Sequence, residues 1–428
     1  MLFRSLWGNG RLLVGLLECH EAHRDQKVLD ASRKLGDFLL AVREGCSDEK
    51  VVQKVKDRAA AGMICFTQLI EGLVMLARDT NDPKYLDGAE AIVPWFDFGR
   101  GQQHSHGYLS TLRGLVMLSQ ATGKAEYLKK VEDAYASLVA SSDYSIYGGV
   151  EEMFGGKGDR NEGCSEADLL RLSLQLWQVT RKLDYLERAE RCLLNEFFSN
   201  QFQTGDFGHH LHFAKGVAPV QGVGRAWWCC TMHGLRAFRD VMDSMVTADG
   251  DKVLVNLFLD GDWKDSGRAL RLEHSKDGGL RITVAALSEQ GFPLAIRQPG
   301  WAEKVDVSVN GQLQAVSEKE GYTVISEPVK KGDKIEISFV MKTRLIKRDG
   351  SEMAPADLTD KAVEAALFYG PWLVGADETD NPMFYGEPWD GNEIIFSDIT
   401  SHGAASTSGK HLEIPADHVA CQYIHNGF

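Results

Sequence analysis

Near residue 250 the periodicity of this chain switches from helical to strand-like, so its two halves cannot share one architecture. Before the switch one local pattern recurs four times, in HEAHRDQKVLDASRKLGDFLL, ARDTNDPKYLDGAEAIVPWF, SQATGKAEYLKKVEDAYASL and WQVTRKLDYLERAERCLLNEF. In each, an apolar helix face runs into a short polar turn, and a second amphipathic helix starts near a Tyr-Leu or Val-Leu pair: a helical hairpin. Asp82 before Pro83 predicts a capped helix start, and Gly123 predicts the bend after a helix ending near Thr122. The equivalent leucines, at 29, 86, 128 and 186, lie 57, 42 and 58 residues apart. That period is too irregular for a solenoid and suits an (α/α)6-type toroid whose long loops build a site at one mouth. About nine helices are expected up to residue 247, fewer than six hairpins need, so the ring is expected to be incomplete or to begin upstream.

After the switch, KVLVNLFL, LRITVAAL, PLAIRQPGW, VDVSVNGQ, YTVISEPV and DKIEISFVM alternate apolar and polar residues between turn signals such as Asn310-Gly311 and Lys330-Lys331-Gly332-Asp333. The expected layout is a toroid over 1–247, a β-sandwich over 248–345, and a C-terminal β and loop region over 346–428, whose acids from Asp377 to Asp390 read as a solvated surface.

A formal net charge of −14 and a pI near 5.4 argue against nucleic acid and against a polybasic membrane surface. No apolar run reaches membrane-spanning length, and MLFRSLWGNGRLLVGLLECHEAH reads as a helix lacking a signal-peptide cleavage site. The eight cysteines are too sparse for a disulfide framework, which favours a reducing, cytoplasmic setting.

Two of those cysteines are adjacent, in WWCCTMHG. Neighbouring Cα atoms sit about 3.8 Å apart, short of the roughly 4.4 to 6.8 Å of an unstrained bridge, so a shared metal ion suits Cys229 and Cys230 better than a bond between them. Partners stand in the acidic, glycine-rich loop SIYGGVEEMFGGKGDRNEGCSEADLL, where Glu162 and Cys164 complete a tetrahedral zinc set by ligand type. The residues alone also allow Cys164 to be a small core side chain and Glu162 a helix-start acid. Cys19, Cys65 and Cys192 read as core; His20, His23 and His274 as solvated. Trp227 and Trp228 suit either a sugar face or an apolar wall. His104 and His106, two apart, cannot share a helix face, so one of them at most is expected to point into the cavity.

The E-x-C step, the later CC followed by Gly234 and Arg236, the HSHGYL segment and the strand text IRQPGWAEKVDVSVNGQ together resemble the β-L-arabinofuranosidase family, glycoside hydrolase family 127, from about residue 10 to 375. The resemblance implies a retaining, zinc-dependent exo-glycosidase with an (α/α)6 catalytic domain followed by β-sandwiches. It makes Cys229 both nucleophile and zinc ligand, with Glu162, Cys164 and Cys230 as the other ligands. Glu152 becomes the general acid/base, with Glu151 as the competing register. His104 and Glu190 become sugar contacts, and His106, His210 and Trp228 join them as candidate substrate-binding residues. Three departures accompany the match. His233 stands where asparagine is usual, the interval from Glu152 to Glu162 is short, and no tyrosine lies near FGHHLHF, where His209 or His210 would substitute.

The chemistry suits those residues. Retaining hydrolysis needs a nucleophile on one face of the anomeric carbon and a proton donor on the other. Thiolate attacks carbon well, and zinc coordination keeps sulfur deprotonated at neutral pH. Glu152 must donate a proton in one step and accept one in the next. The expected partner is a small oligosaccharide or glycoside carrying β-linked L-arabinofuranose or a related pentose, and a homodimer is left open. Two other classes stay open at this stage: a toroid epimerase, isomerase or lyase using His104 and His106, and a non-catalytic sugar-binding protein with a structural zinc.

Overall fold

The computed structural model describes residues 4–46, 48–56, 62–155, 160–202, 204–213, 216–217, 226–275, 279–285, 291–347, 350–353, 365–376, 393–398 and 412–415. The acids between Asp377 and Asp390 fall outside them. Four helical hairpins form: α1 (Asn9–His23) with α2 (Gln26–Cys46), α3 (Leu69–Thr80) with α4 (Pro83–Glu90), α5 (Ser105–Thr122) with α6 (Ala125–Val139), and α7 (Gly163–Thr180) with α8 (Leu183–Cys192). A final helix, α9 (Trp228–Met245), has no hairpin partner among the described residues, and two short helices, Glu49–Lys56 and Ile64–Thr67, lie between the first two hairpins. Asp82 Oδ1 accepts from Lys84 N at 3.1 Å and starts α4; Gly123, at φ 72°, ends α5.

The odd-numbered helices form an inner row in the order α1, α3, α5, α7, α9, and the even-numbered ones back it. α5 and α7 are buried around most of their circumference, which is why they lack a clean amphipathic stripe. The row ends open: on α9, Trp228, Met232, Leu235 and Met242 are exposed at helical spacing. This hairpin array followed by sheets is the expected fold class.

Charge, unusually, threads the inner row. Glu71 of α3 is buried and accepts from Arg11 of α1 at 2.8 Å, Arg113 of α5 at 3.0 Å and Arg236 of α9 at 3.2 Å. Burial opposes its ionisation, yet Arg113, Arg11 and Arg236 hold the carboxyl well below its ordinary range. Arg236 also reaches Glu18 of α1 at 2.7 Å, and Arg171 of α7 donates to Asp240 of α9 at 2.7 Å.

Past α9 come two sheets in face-to-face packing. One runs Gln312–Leu313, Ala302–Val309, Lys334–Met341, Leu280–Val284, Arg268–His274, Gly261–Asp265; the other Val316–Lys319, Tyr322–Ile325, Leu294–Arg297, Lys252–Val255, Val246–Asp249. Alternation places Ile335 and Ile337 inward between exposed Lys334 and Glu336, and Leu270, Leu272 and Ile282 share their core with Val253, Leu294 and Ile296. A third sheet contains Thr343–Lys347, Ala365–Tyr369 and Trp372–Ala376. Its Ile346, Phe368 and Leu373 pack on Ile146 and Tyr147 of the helical part.

Two expectations need correction. Cys19 is exposed on α1 rather than core, whereas Cys65 and Cys192 are buried. His20 is buried rather than solvated, its Nδ1 lying 3.0 Å from the Asp25 carbonyl oxygen where α1 turns into α2. No helix among the described residues is long and apolar enough to cross a membrane.

Candidate active site

Three inner helices begin at the same place. His104 precedes α5, Glu162 precedes α7 and Trp227 precedes α9, each with extended backbone at the cap position. Cys164, Cys229 and Cys230 lie in first turns, where unsatisfied N–H groups and the helix dipole favour negative charge on sulfur and carboxylate. α7 and α9 can approach this closely because Gly163 carries no side chain: a Cβ there would stand 3.1 Å from Cys230 Cβ.

Consequently Glu162, Cys164, Cys229 and Cys230, separated by 65 or more residues between the pairs, bring their ligand atoms within 4.8 Å of one another. The Cys164 and Cys230 sulfurs are 3.6 Å apart. Sulfurs at about 2.3 Å from a tetrahedral zinc would stand about 3.8 Å apart, so the donor set fits that ion in type, number and spacing. Hydrogen bonds from Cys164 and then Cys230 bring Cys229 down to about 3, whereas burial pushes Cys164 well up. Of the three sulfurs, Cys229 is the one these contacts favour as the thiolate. Burial works against Glu162 ionising, yet the His209 and His104 rings bring it to about 2.

A short sheet frames the cluster. Arg160–Glu162 pairs antiparallel with His209–Phe213, setting Glu162 opposite His209. His209 Nε2 lies 3.7 Å from Glu162 and 3.9 Å from Glu152; His104 Nε2 lies 3.4 Å and 3.9 Å from the same two carboxylates. Glu152 therefore sits beside the ligand cluster. Ser105 fixes its backbone, donating N–H at 2.9 Å and Oγ–H at 3.0 Å to the Glu152 carbonyl. Ser165 Oγ donates to Glu162 Oε2 at 3.1 Å. Glu151 instead bridges Asn161 through the backbone.

Other candidates fall differently. His104 and His106 both reach the site region, with ring centroids 5.9 Å apart; the helix-face argument fails because His104 is an extended cap residue outside the helix. Glu190 is not brought to the cluster. Its carboxylate bonds Arg297 and, at 2.7 Å, Trp301 Nε1, in the seam between α8 and the sandwich. Trp228 is 75 % exposed at the start of α9. His209, first considered only as a substitute, faces the carboxylates, while the His210 side chain lies outside the described residues.

Sequence reasoning missed Asp168 and gave His233 no role. His106, Asp168 and His233 form a second buried cluster. The available signal was helical spacing, since Asp168 follows Cys164 by four and His233 follows Cys229 by four. It also missed Glu166 and Glu196. Glu196 accepts from Asn161 Nδ2 at 2.7 Å and Ser145 Oγ at 3.4 Å, and Glu166 accepts from Val150 N at 3.0 Å, so the two anchor both the 149–152 loop and the strand before Glu162. Burial pushes Glu196 up to about 8 and Glu166 well up as well. A folded pKa above the unfolded value means the fold holds an extra proton between the two, so stability falls as pH rises from the ordinary carboxylate range to about 8. Glu196→Gln should flatten that decline in denaturant titrations across roughly pH 5 to 9; an unchanged slope would show that the carboxyl is already ionised.

Two family models match. Residues 3–243 fit the β-L-arabinofuranosidase GH127 catalytic domain and residues 252–341 the GH127 middle domain. Among solved structures, the GH127 β-arabinofuranosidase BT3674 is 19% identical with a TM-score of 0.68, covering 97% of this chain and 74% of its own. The GH127 β-L-arabinofuranosidase Ara127N from Geobacillus stearothermophilus T6 is 16% identical with a TM-score of 0.63, covering 96% of this chain and 76% of its own. These identities speak for a shared fold. No curated protein matches the chain significantly. With the catalytic-domain model spanning more than half of the sequence and the middle-domain model following it in order, the chain belongs to the GH127 β-L-arabinofuranosidase family of glycoside hydrolases.

Proposed function

We propose that this glycosidase releases β-linked L-arabinofuranose, or a closely related pentofuranose, with retention of configuration, using Cys229 as nucleophile and Glu152 as general acid/base. The observation that carries the reading is the meeting of Glu162 and Cys164 with Cys229 and Cys230, with the Glu152 carboxylate next to Glu162.

Glu162, Cys164, Cys229 and Cys230 would hold one zinc ion, which when bound supplies positive charge that keeps the sulfurs deprotonated and lets a thiolate leave. Cys229 suits attack on the anomeric carbon because it is the half-exposed member of the trio, whereas Cys164 and Cys230 are buried. Its sulfur forms a bond to that carbon as Glu152 gives its proton to the departing glycosidic oxygen. Glu152, now the carboxylate, then takes a proton from water as water displaces the sulfur. His104 and His209, each within 3.9 Å of Glu152, hold that carboxylate between them. Ser105 fixes the loop that bears it.

Metal content tests the ligand set. Protein purified without chelator should carry about one zinc per chain, and Cys164→Ala should lose most of it while keeping the helical circular dichroism of the wild type. A metal-free wild type with all thiols titratable would overturn the reading. Screening aryl β-L-arabinofuranosides against their α-linked and pyranoside counterparts then tests the sugar.

A further inference from the structure

His106, Asp168 and His233 gather beside the proposed catalytic groups without belonging to the thiolate cluster. His106 lies in the first turn of α5, almost completely buried, with its ring 5.3 Å from Trp7, 5.9 Å from His104 and 4.3 Å from His233. Its one hydrogen bond among the described residues runs from Nδ1 to Asp168 Oδ2 at 2.5 Å. Asp168 is fully buried, and its other oxygen accepts from Arg113 Nη1 at 3.3 Å, with Arg171 Nη1 at 3.7 Å. Against the cost of burial, the hydrogen bond from His106 first, and the Arg113 guanidinium behind it, favour Asp168 as an anion. An anion facing Nδ1 keeps the proton there and leaves Nε2, at the far end of the ring, with a lone pair and no donor among the described residues.

A metal ion is a poor occupant of this cluster. Arg113 and Arg171 already compensate Asp168, and the arginine charges of the inner row would repel a further cation. A purely structural role would leave this acceptor unused, because the described residues make their hydrogen bond to the ring at Nδ1 alone. The ring neighbour on the site side, His104, itself contacts Glu152 and Glu162.

We propose that Asp168 and His106 form a dyad that reads a hydroxyl of the sugar: Asp168 is a positioning residue, and His106 Nε2 accepts a hydrogen bond from one glycone O–H beside the thiolate cluster. The inference rests on the pentofuranosidase reading and deepens it, adding a requirement that the sugar present a donor at one position. Asp168→Asn gives it a specific form. Arg113 would keep the amide oxygen, the amide NH2 would face His106 Nδ1, and the ring proton would move to Nε2. An acceptor would become a donor.

The test compares wild type and Asp168→Asn on an aryl β-L-arabinofuranoside and its monodeoxy analogues. On the parent sugar Asp168→Asn should lower kcat/KM on the order of tenfold or more. One deoxy sugar should suffer a similar loss on the wild type and no further loss in the variant. Equal proportional losses on every sugar, or no loss, would overturn the proposal. Ring 15N spectra of the wild type, with the His106 signals identified by their disappearance in His106→Gln, should show a protonated Nδ1 and a bare Nε2 that shifts on titration with L-arabinose. A protonated Nε2, or no shift on saturation, would also overturn it. So would a second metal per chain that is lost in His106→Gln and kept in Cys229→Ala. If the wild type hydrolyses no pentofuranoside, the functional reading falls by itself, and the ring spectra still decide the dyad.

Discussion

Cys229→Ala is expected to lower kcat by roughly four orders of magnitude or more on any substrate the wild type turns over, because it removes the atom that bonds to the sugar. The fold should survive. Cys229 is half-exposed in the first turn of a helix, so alanine there gives up only the part of its packing that reaches the core. Zinc should be bound more weakly but not necessarily lost, since Glu162, Cys164 and Cys230 keep their positions. Single-turnover kinetics with an activated aryl glycoside, alongside metal analysis, separate these effects. Cys229→Ala with wild-type kcat would eliminate the nucleophile assignment, whereas loss of activity with unfolded circular dichroism would show that the cysteine supports the fold. Glu152→Gln supplies the matching control: it should slow substrates with poor leaving groups far more than activated ones, which need little protonation.

The second large effect concerns stability. Arg297→Met should destabilise the protein by about 3–5 kcal/mol, because it strips the partner from a buried carboxylate. Arg297 is fully buried; it bonds Glu190, donates to Glu187 at 2.6 Å and donates Nε–H to the Asn256 carbonyl at 2.6 Å. Glu190→Gln should cost less, since an amide can still accept from Arg297 or Trp301. If Glu190 were a sugar contact, its substitution would raise KM at unchanged stability. Denaturant midpoints and KM measured on the same samples distinguish a seam residue from a substrate residue.

Much of the fold was legible because hairpin periodicity and strand alternation are local signals. Asp82 and Gly123 stand where cap chemistry puts them, and Ile335 and Ile337 alternate with charged neighbours as a half-buried strand requires. The ligand set was legible as residue types, because only soft sulfur donors beside one carboxylate make sense of E-x-C and CC together. Whether the two halves meet depends on the packing of α7 against α9, which no spacing encodes. The helix-face argument does not apply to His104 and His106, because α5 begins at Ser105 and His104 is an extended cap residue before it. Glu190 was misplaced because a buried glutamate on an amphipathic helix looks alike in sequence whether it meets a sugar or an arginine on a strand more than one hundred residues away.

The charge web around Glu71 shapes how this scaffold tolerates change. Three arginines from three different helices converge on one carboxylate, so Glu71→Gln would remove the counter-ion they share and leave Arg236 only Glu18 and Arg113 only Asp168, although Glu71 belongs to none of the proposed catalytic groups. The same loss would be softened in a chain that also lacks Arg11 or Arg113, because fewer like charges would then remain. Substitutions at these positions should therefore be strongly epistatic, each tolerated only in the company of another. Libraries that vary one residue at a time would score the inner row as immutable; paired libraries at Glu71 and Arg113 would find routes through it.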